Sequence, residues 1–365
     1  ASVGRFDQYR LEADFTDAIN PQLAYRINGA VQEFKSFRDE VFSDKQVLNP
    51  SLLWQIDADS SLLYEFEYLQ HQRQLNSQWQ FTAGLSRRVS DLQGFSSDAE
   101  LASARQGVSV SNPQLTRQRR YRDYQSTDTT VRGEFSGELA LAGLTHHLLV
   151  GADAYDYSLY TYLGRYRGPK GSYALNIFQP VYGVAVPGAV NALYANDETQ
   201  QAYGIYLQDV IDVTASTNLL VGMRFDRYQQ RILETVKGTR SNAKDTRFSP
   251  RLGLVHQLTA ELSLYASYSS GFVPLSGTDY AGNAFEPEES RSNELGLRWQ
   301  GDTRQATLAV FDATKSNILT SDPVHVGFSA ALGKAKSRGV EIDASQQLPW
   351  DLTVDVSYAW LDTHT

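Results

Sequence analysis

The strongest constraint in the sequence is an alternation of apolar and polar residues with a period of two. Between Gln8 and Phe15, the residues Tyr9, Leu11, Ala13 and Phe15 alternate with Gln8, Arg10, Glu12 and Asp14. A helix would spread those charges over every face, whereas a strand puts all of them on one. The period returns in Leu262, Leu264, Ala266 and Tyr268, and in Leu295, Leu297 and Trp299. It returns again in Leu352, Val354, Val356, Tyr358 and Trp360, set against Thr353, Asp355, Ser357 and Ala359. The chain therefore reads as all-β. No stretch of about 18 apolar residues occurs, which excludes a transmembrane helix. The mean hydropathy of -0.39 would suit a soluble protein, but a transmembrane β-barrel alternates lipid-facing with lumen-facing residues and also keeps its mean low.

A soluble sandwich covers the apolar face of such strands with a second sheet. A porin-like barrel turns that face to lipid and places Tyr and Trp near the strand ends. Trp54, Trp79, Trp299 and Trp360 lie at or near expected strand ends. The connections point the same way. Short polar turns are expected around Asn20-Pro21, Asp57-Ser60, Ala142-Gly143, Ala215-Asn218, Thr259-Glu261, Gly301-Thr303 and Pro349-Asp351. Longer links are expected around Phe37-Asp44, Gly94-Gln114, Gly164-Glu198, Val236-Asp245, Pro274-Pro287 and Ser316-Lys334. Short turns alternating with long loops describe an antiparallel up-and-down transmembrane β-barrel, with tight periplasmic turns and long extracellular loops. Greek-key sandwiches lack that strictness. About fifteen strands are expected, several longer than the roughly 9–11 residues of a membrane crossing. One place breaks the rule: a strand from Leu62 to about Gln74 lies between short turns at Asp57-Ser60 and Leu75-Gln78. Two periplasmic turns cannot flank one crossing strand, so either one turn is extracellular or a strand pair has been shortened there.

Composition removes several chemistries. The 365 residues contain no Cys, which excludes a disulfide scaffold, a zinc-thiolate site and a Cys nucleophile. His146 and His147 are adjacent on a strand and point to opposite faces, and none of His71, His256, His325 and His364 has metal-ligand spacing. Glu286, Glu288 and Glu289 could suggest a glycosidase pair, but they read better as the solvated edge of a loop. The run Arg117, Arg119, Arg120 and Arg122, with Tyr121 and Tyr124 interleaved, could suggest nucleic acid. The net charge of -9 and the strand period argue against that. Pairing with lumenal carboxylates, contacting lipid phosphates or steering an anionic ligand suits the run better. No nucleophile elbow, phosphate loop or dinucleotide fingerprint occurs, and no enzymatic activity is expected. The link from Tyr160 to Tyr194 is rich in aromatics (Tyr160, Tyr162, Tyr166, Tyr173, Phe178, Tyr182, Tyr194) and carries Arg165, Arg167 and Lys170. It reads equally as a recognition loop and as a loop packed on itself and the barrel rim.

Beyond the period, local stretches resemble the TonB-dependent siderophore receptors of Gram-negative outer membranes. They are GRFDQYRLEADF at 4–15, NPSLLWQIDADSSLLYEFEY at 49–68, NIFQPVYG at 176–183, QQAYGIYLQDVIDV at 200–213 and NLLVGMRFD at 218–226. The densest block runs from FSPRLGLVHQLTAELSLYASYSSGFVPLSG at 248–277 through FEPEESRSNELGLRW at 285–299 and TLAVFDATKSNILTSDP at 307–323 to SRGVEIDASQQLPWDLTVDVSYAWLDT at 337–363. Their common order over nearly the whole chain carries the resemblance. It implies a plug inside a barrel of about 22 strands, with residues 1–365 a partial barrel domain running from after the first strand to about the seventeenth. The chain begins at Ala1 without a leader and stops at Thr365; it is expected to be a fragment lacking plug, TonB box, first strand and last strands. EFEYLQHQRQLNSQW then looks like one family strand joined to the next with its extracellular loop deleted.

The resemblance implies outer-membrane uptake of a ferric siderophore, energised by the TonB-ExbB-ExbD complex through the missing plug, in contact with outer-membrane lipid and with no nucleic acid. No cofactor of the protein's own is expected, since iron travels inside the siderophore. The family offers no single ligand-contact motif in its barrel. The candidate contacts Tyr160, Tyr162, Arg165, Tyr166, Phe178, Tyr182 and Phe272 are chosen by loop position and side-chain type. The alternatives are a plugged importer of a corrinoid or an oligosaccharide, a passive porin-like barrel, and a soluble all-β carbohydrate enzyme. No Asp-rich calcium loop favours the corrinoid. A fragment would leave unpaired edges, so an open or collapsed sheet is expected, or closure between the strands at Arg5–Phe15 and Leu352–Leu361.

Overall fold

A computed structural model describes residues 1–36, 41–102, 104–325, 328–331 and 333–364, and these form strands, turns and loops without a helix. In chain order, β1 (Ser2–Gly4), β2 (Gln8–Asn20) and β3 (Leu23–Lys35) are followed by β4 (Phe42–Gln55), β5 (Ser60–Glu65), β6 (Tyr68–Gln74) and β7 (Trp79–Ala99). A two-residue β8 (Gln114–Leu115) precedes β9 (Arg117–Leu141) and β10 (Leu144–Tyr166). Another, β11 (Leu175–Asn176), precedes β12 (Asn191–Thr214), β13 (Thr217–Glu234) and β14 (Thr239–Gln257). β15 (Leu262–Val273), β16 (Glu288–Gln300) and β17 (Arg304–Ser316) lead through β18 (Leu319–Ser321) and β19 (Ser329–Ala331) to β20 (Lys334–Leu348) and β21 (Leu352–His364).

The backbone divides into two compact units. One holds Ala1–Arg87, Thr129–Ala154 and Ile205–Gly222; the other holds Arg88–Asp128, Tyr155–Gly204 and Met223–Thr365. In the first, β1 through β7 pair consecutively and antiparallel. In the second, β14, β15, β16, β17, β20 and β21 form an antiparallel ladder in that order. Antiparallel pairing of neighbours, joined by short turns and by longer links such as 274–287 and 317–333, is the meander that the sequence predicts. Ala142 and Gly143, both at positive φ (51° and 79°), make the two-residue link from β9 to β10, the backbone that a tight hairpin demands.

Register sorts the side chains by chemistry. Along the second ladder, Leu264, Leu297, Leu308, Ile342 and Tyr358 stand opposite one another in one row, and Ala266, Leu295, Val310, Val340 and Trp360 in another. These rows are open: Leu295 is 49% exposed and Tyr358 59%. The row next to Leu264 on its other side, Ser263, Arg298, Thr307, Asp343 and Ser357, is polar and lies on the other face. Burial is correspondingly inverted. Glu198, Gln200, Asp226, Gln230 and Glu234 are 5% exposed or less, while Tyr203, Met223 and Phe225 on the opposite faces of β12 and β13 are open. A soluble core would reverse these assignments; a lipid-facing surface requires them.

Several expected boundaries move. The run from Leu62 to Gln74 is not one strand: β5 and β6 fold back on each other through Phe66 and Glu67, with Glu67 at φ 69°. This hairpin supplies the extracellular turn that alternation needs, on strands of six and seven residues. The link expected at Val236–Asp245 shrinks to a turn ending at Gly238, since β14 starts at Thr239. β7 runs on to Ala99, β10 to Tyr166, and β12 begins at Asn191, so the long links cover 100–113 and 167–190. The strand expected from Arg5 begins at Gln8, because Phe6 and Asp7 turn at positive φ. Of the Phe37-Asp44 link, 37–40 lie outside the described residues. All these strands are extended by pairing, which local turn chemistry alone does not reveal.

The two faces make opposite demands on a charge. Leu308→Lys, in the middle of an apolar row, is expected to cost about 2–4 kcal/mol of folding stability in lipid vesicles. Thr307→Lys, between Arg298 and Asp343, should change it by less than about 1 kcal/mol. Denaturant titration of both variants checks this, and equal losses would contradict the face assignment.

Candidate functional site

A strand crosses a bilayer in about 9–11 residues, but β9, β10, β12 and β13 have 25, 23, 24 and 18. Counted from their short turns, the crossing accounts for the first half of each. The remainder projects beyond the membrane, with the long links on the far ends of β9, β10 and β12 and a short turn on that of β13.

Two of the links are tied together. Glu100, 4% exposed, accepts the guanidinium fork of Arg167 at 2.6 and 2.8 Å, and Arg105 lies 3.5 Å away. Arg105 also donates to the Gly168 carbonyl. Gln106 Nε2 donates to the carbonyls of Glu100 and Thr116, and its Oε1 accepts from the Thr116 N–H. β8 and β11 then join the links by a small antiparallel ladder, Leu115 opposite Leu175 and Gln114 opposite Asn176. Tyr173 is pinned from two sides: its hydroxyl lies 2.7 Å from Ser97 Oγ, and the Arg117 guanidinium sits 4.3 Å from its ring centre. The Arg167 fork above all, with the Ala102 N–H and the Arg105 charge, holds the Glu100 carboxyl at about 2 although burial opposes ionisation.

A second assembly surrounds a cavity of about 210 Å³. Leu159, Thr161, Tyr194 and Asn196 line it from β10 and β12, together with Glu198, Glu234, Lys237, Phe328 and residues of the 276–285 segment. Glu198 accepts from Gln200 and Gln230, each at 2.6 Å, and from the Gly277 N–H at 3.1 Å. Gln230 also donates to the Leu275 carbonyl at 2.7 Å. Glu234 accepts from the N–H groups of Ala195, Val236 and Lys237. Asp279 accepts from both nitrogens of Asn283. These carboxylates therefore hold loop backbone and amides in place, with N–H donors instead of cations. Lys237 lies over the rings of Tyr280 and Phe328 at 5.2 and 4.8 Å, and Tyr280 stacks on His325 at 3.7 Å.

The seven candidate contacts do not gather in one place. Tyr160, Tyr162 and Tyr166 belong to strand β10 instead of a loop, and alternation puts Arg165 on its other face. Tyr160 lines a groove of about 320 Å³ with Asp91, Thr127 and Asp197. Tyr162 packs near Tyr121, and Tyr166 near Tyr173. Phe178 (67% exposed) and Tyr182 stand open on the 167–190 link. Phe272 packs against Tyr228, ring centres 6.0 Å apart. Arg165 alone continues the row of Thr161 and the buried Leu163. Glu100, Glu198, Gln230 and Glu234 are not among the seven. For the last three the strand period carries a signal, since it sets Glu198 and Gln200, like Gln230 and Glu234, on one face; for Glu100 it carries none. Glu288 pairs with Lys315 and Glu289 with Arg247, as edges of a ladder. His146 and His147 take different carboxylates, Asp209 and Asp212, consistent with opposite faces. Among the described residues no group of three His, Asp or Glu side chains is placed to hold a metal ion.

The sequence model of the family described as TonB dependent receptor-like, beta-barrel matches residues 4–365. The chain belongs to this family of TonB-dependent receptors. Members are outer-membrane proteins of Gram-negative bacteria. It is 30% identical over 415 aligned residues to the metal-pseudopaline receptor CntO of Pseudomonas aeruginosa, covering 99% of this chain and 58% of that protein. It is 24% identical to the ferrioxamine receptor of Yersinia enterocolitica, covering 95% of this chain and 55% of that one. In fold it is similar to the ferric-catecholate import receptor Fiu of Escherichia coli, with a TM-score of 0.78 at 14% identity, over 98% of this chain and 64% of that one. The chain thus spans a little over half the length of the curated relatives it matches.

The Glu100 lock has a defined pH range. A carboxyl held at about 2 against an ordinary 4.5 adds stability above pH 4.5, which is lost as the pH falls from there through 2. The full contribution is on the order of 3 kcal/mol. Hydrogen exchange of 100–116 and 167–177 should accelerate over that range, and Glu100→Gln should show the same loosening at pH 7. Protection that is flat down to pH 2 would contradict it.

Proposed function

We propose that the chain is the membrane-spanning part of an outer-membrane receptor that imports a chelated metal of the ferric-siderophore kind, driven by TonB. The inverted burial supports this most strongly. An interior of carboxylates and amides, with Glu198, Gln200, Asp226, Gln230 and Glu234 all buried, suits the passage of a polar chelate, while the open apolar rows suit hydrocarbon. The relatives bind metal-pseudopaline and ferrioxamine by their names, which favours metal complexes as cargo over a corrinoid or an oligosaccharide. The metal is then substrate, carried in by its chelator. A wide polar lumen leaks unless it is stoppered, and the outer membrane holds no energy store of its own. Both considerations favour a plug and a TonB-ExbB-ExbD partnership, supplied by sequence that the longer relatives contain.

Expression of the whole gene in a Gram-negative host stripped of its own siderophore receptors tests this reading. Radioactive iron offered as ferric hydroxamates and ferric citrate should enter cells, and deletion of TonB should reduce uptake to background. Equal uptake without TonB would mean a passive pore.

A further inference from the structure

The two loop assemblies differ in how completely their charges are satisfied. Around the cavity, Glu198 and Glu234 each accept three N–H donors from the protein. On the neighbouring far ends of β7, β9 and β10 the arithmetic is unfavourable. Arg120 and Arg122 share one carboxylate, Asp98, at 3.3 and 3.8 Å, and Arg120 Nε is buried without a well-aligned acceptor. Arg105 and Arg167 share Glu100. Arg165, half-buried in β10, makes no hydrogen bond or ion pair with any described residue. The main charges that act on it are those of Arg167, Arg120 and Arg105, opposed by Glu100, and Glu100 is already occupied by the Arg167 fork. Five guanidiniums thus face two carboxylates.

This excess is directed inward. Arg165 follows Leu163 (7% exposed) and Thr161 on one face of β10, and Thr161 lines the 210 Å³ cavity. Arg120, Arg122 and Tyr124 alternate on one face of β9. Tyr194, which lines the same cavity, lies within reach of Tyr124 and of the Arg122 and Arg120 charges. The basic cluster and the cavity therefore adjoin at Tyr194. A half-buried guanidinium among like charges is costly to keep. Its planar fork matches a carboxylate in two parallel hydrogen bonds, which the protein leaves open at Arg165.

We infer that Arg165, with Arg120 beside it, receives a carboxylate of the transported cargo, and that this cargo is an anionic, carboxylate-bearing metal chelate. The inference rests on the transport reading above and narrows its substrate class. Burial and the neighbouring guanidiniums depress the Arg165 pKa, and an arriving anion relieves both penalties.

The test uses the full-length receptor purified in detergent, with chelate binding followed by quenching of tryptophan fluorescence. The probes are ferric citrate and ferric-EDTA (anionic carboxylates), ferrichrome (neutral) and ferrioxamine B (cationic). The wild type should bind a carboxylate chelate in preference to the other two. Arg165→Gln should weaken that binding by at least about tenfold, and Arg165→Lys should retain part of it, while ferrichrome and ferrioxamine B respond little to either change. A wild type that prefers ferrichrome or ferrioxamine B, or a carboxylate affinity untouched by Arg165→Gln, overturns the inference and leaves the transport reading standing. A wild type that binds none of the four chelates overturns the transport reading itself.

Discussion

In hydrocarbon every backbone N–H and C=O must find its partner within the protein, and a strand can meet that demand only through its neighbours. The consecutive antiparallel ladders are the local answer. Once backbone partners are supplied sideways, the side chains are free to sort by face, and the period-two sequence makes them do so. The result is an inside-out protein, with Leu264, Leu297, Leu308 and Ile342 in one open row and Arg298, Thr307 and Asp343 on the reverse. Tyrosines fill the space left by inward glycines: the rings of Tyr206 and Tyr265 lie where side chains at Gly151 and Gly296 would stand, and their hydroxyls donate to Glu134 and Glu294.

Past the membrane the same strands answer to water, and different forces organise their ends. Charge-assisted hydrogen bonds replace lipid as the ordering influence. Glu100 joins two links through one guanidinium fork and several backbone contacts; Glu198 holds the link at Gly277 and Glu234 the turn at Val236 and Lys237, both through N–H donors. Such saturated carboxylates are scaffolding. Unsatisfied groups on a rigid scaffold are a better guide to where cargo binds, because a protein rarely leaves a half-buried charge unmatched without a use for it.

How much of this could be read from the residues depended on the kind of interaction. The strand faces were legible because alternation is local, and so were the turns at Ala142-Gly143 and Gly301-Thr303. Strand ends were not, since β7, β10 and β14 are carried through polar sequence by their neighbours, and a link such as Val236–Asp245 therefore read as loop. The Leu62–Gln74 run hid a hairpin because Phe66-Glu67 lacks the Gly or Asn that usually marks one. Tyr160, Tyr162 and Tyr166 read as loop residues in the sequence, and their placement on a strand separates them from the neighbouring Arg165, which faces the other way. Glu100 finds Arg167 across 67 positions of sequence, a pairing that no local pattern encodes.

The β5–β6 hairpin has a practical consequence. Its strands are registered on both outer flanks, by β4 from Ser51 to Gln55 and by β7 from Gln80 to Ser86, so its placement does not depend on the connection at Phe66 and Glu67. Loop-closure entropy rises only slowly with length, and a foreign peptide spliced between those two residues would lengthen the connection without disturbing either ladder. Among the connections of this chain, that turn is the natural place to display an epitope on the surface of a living cell.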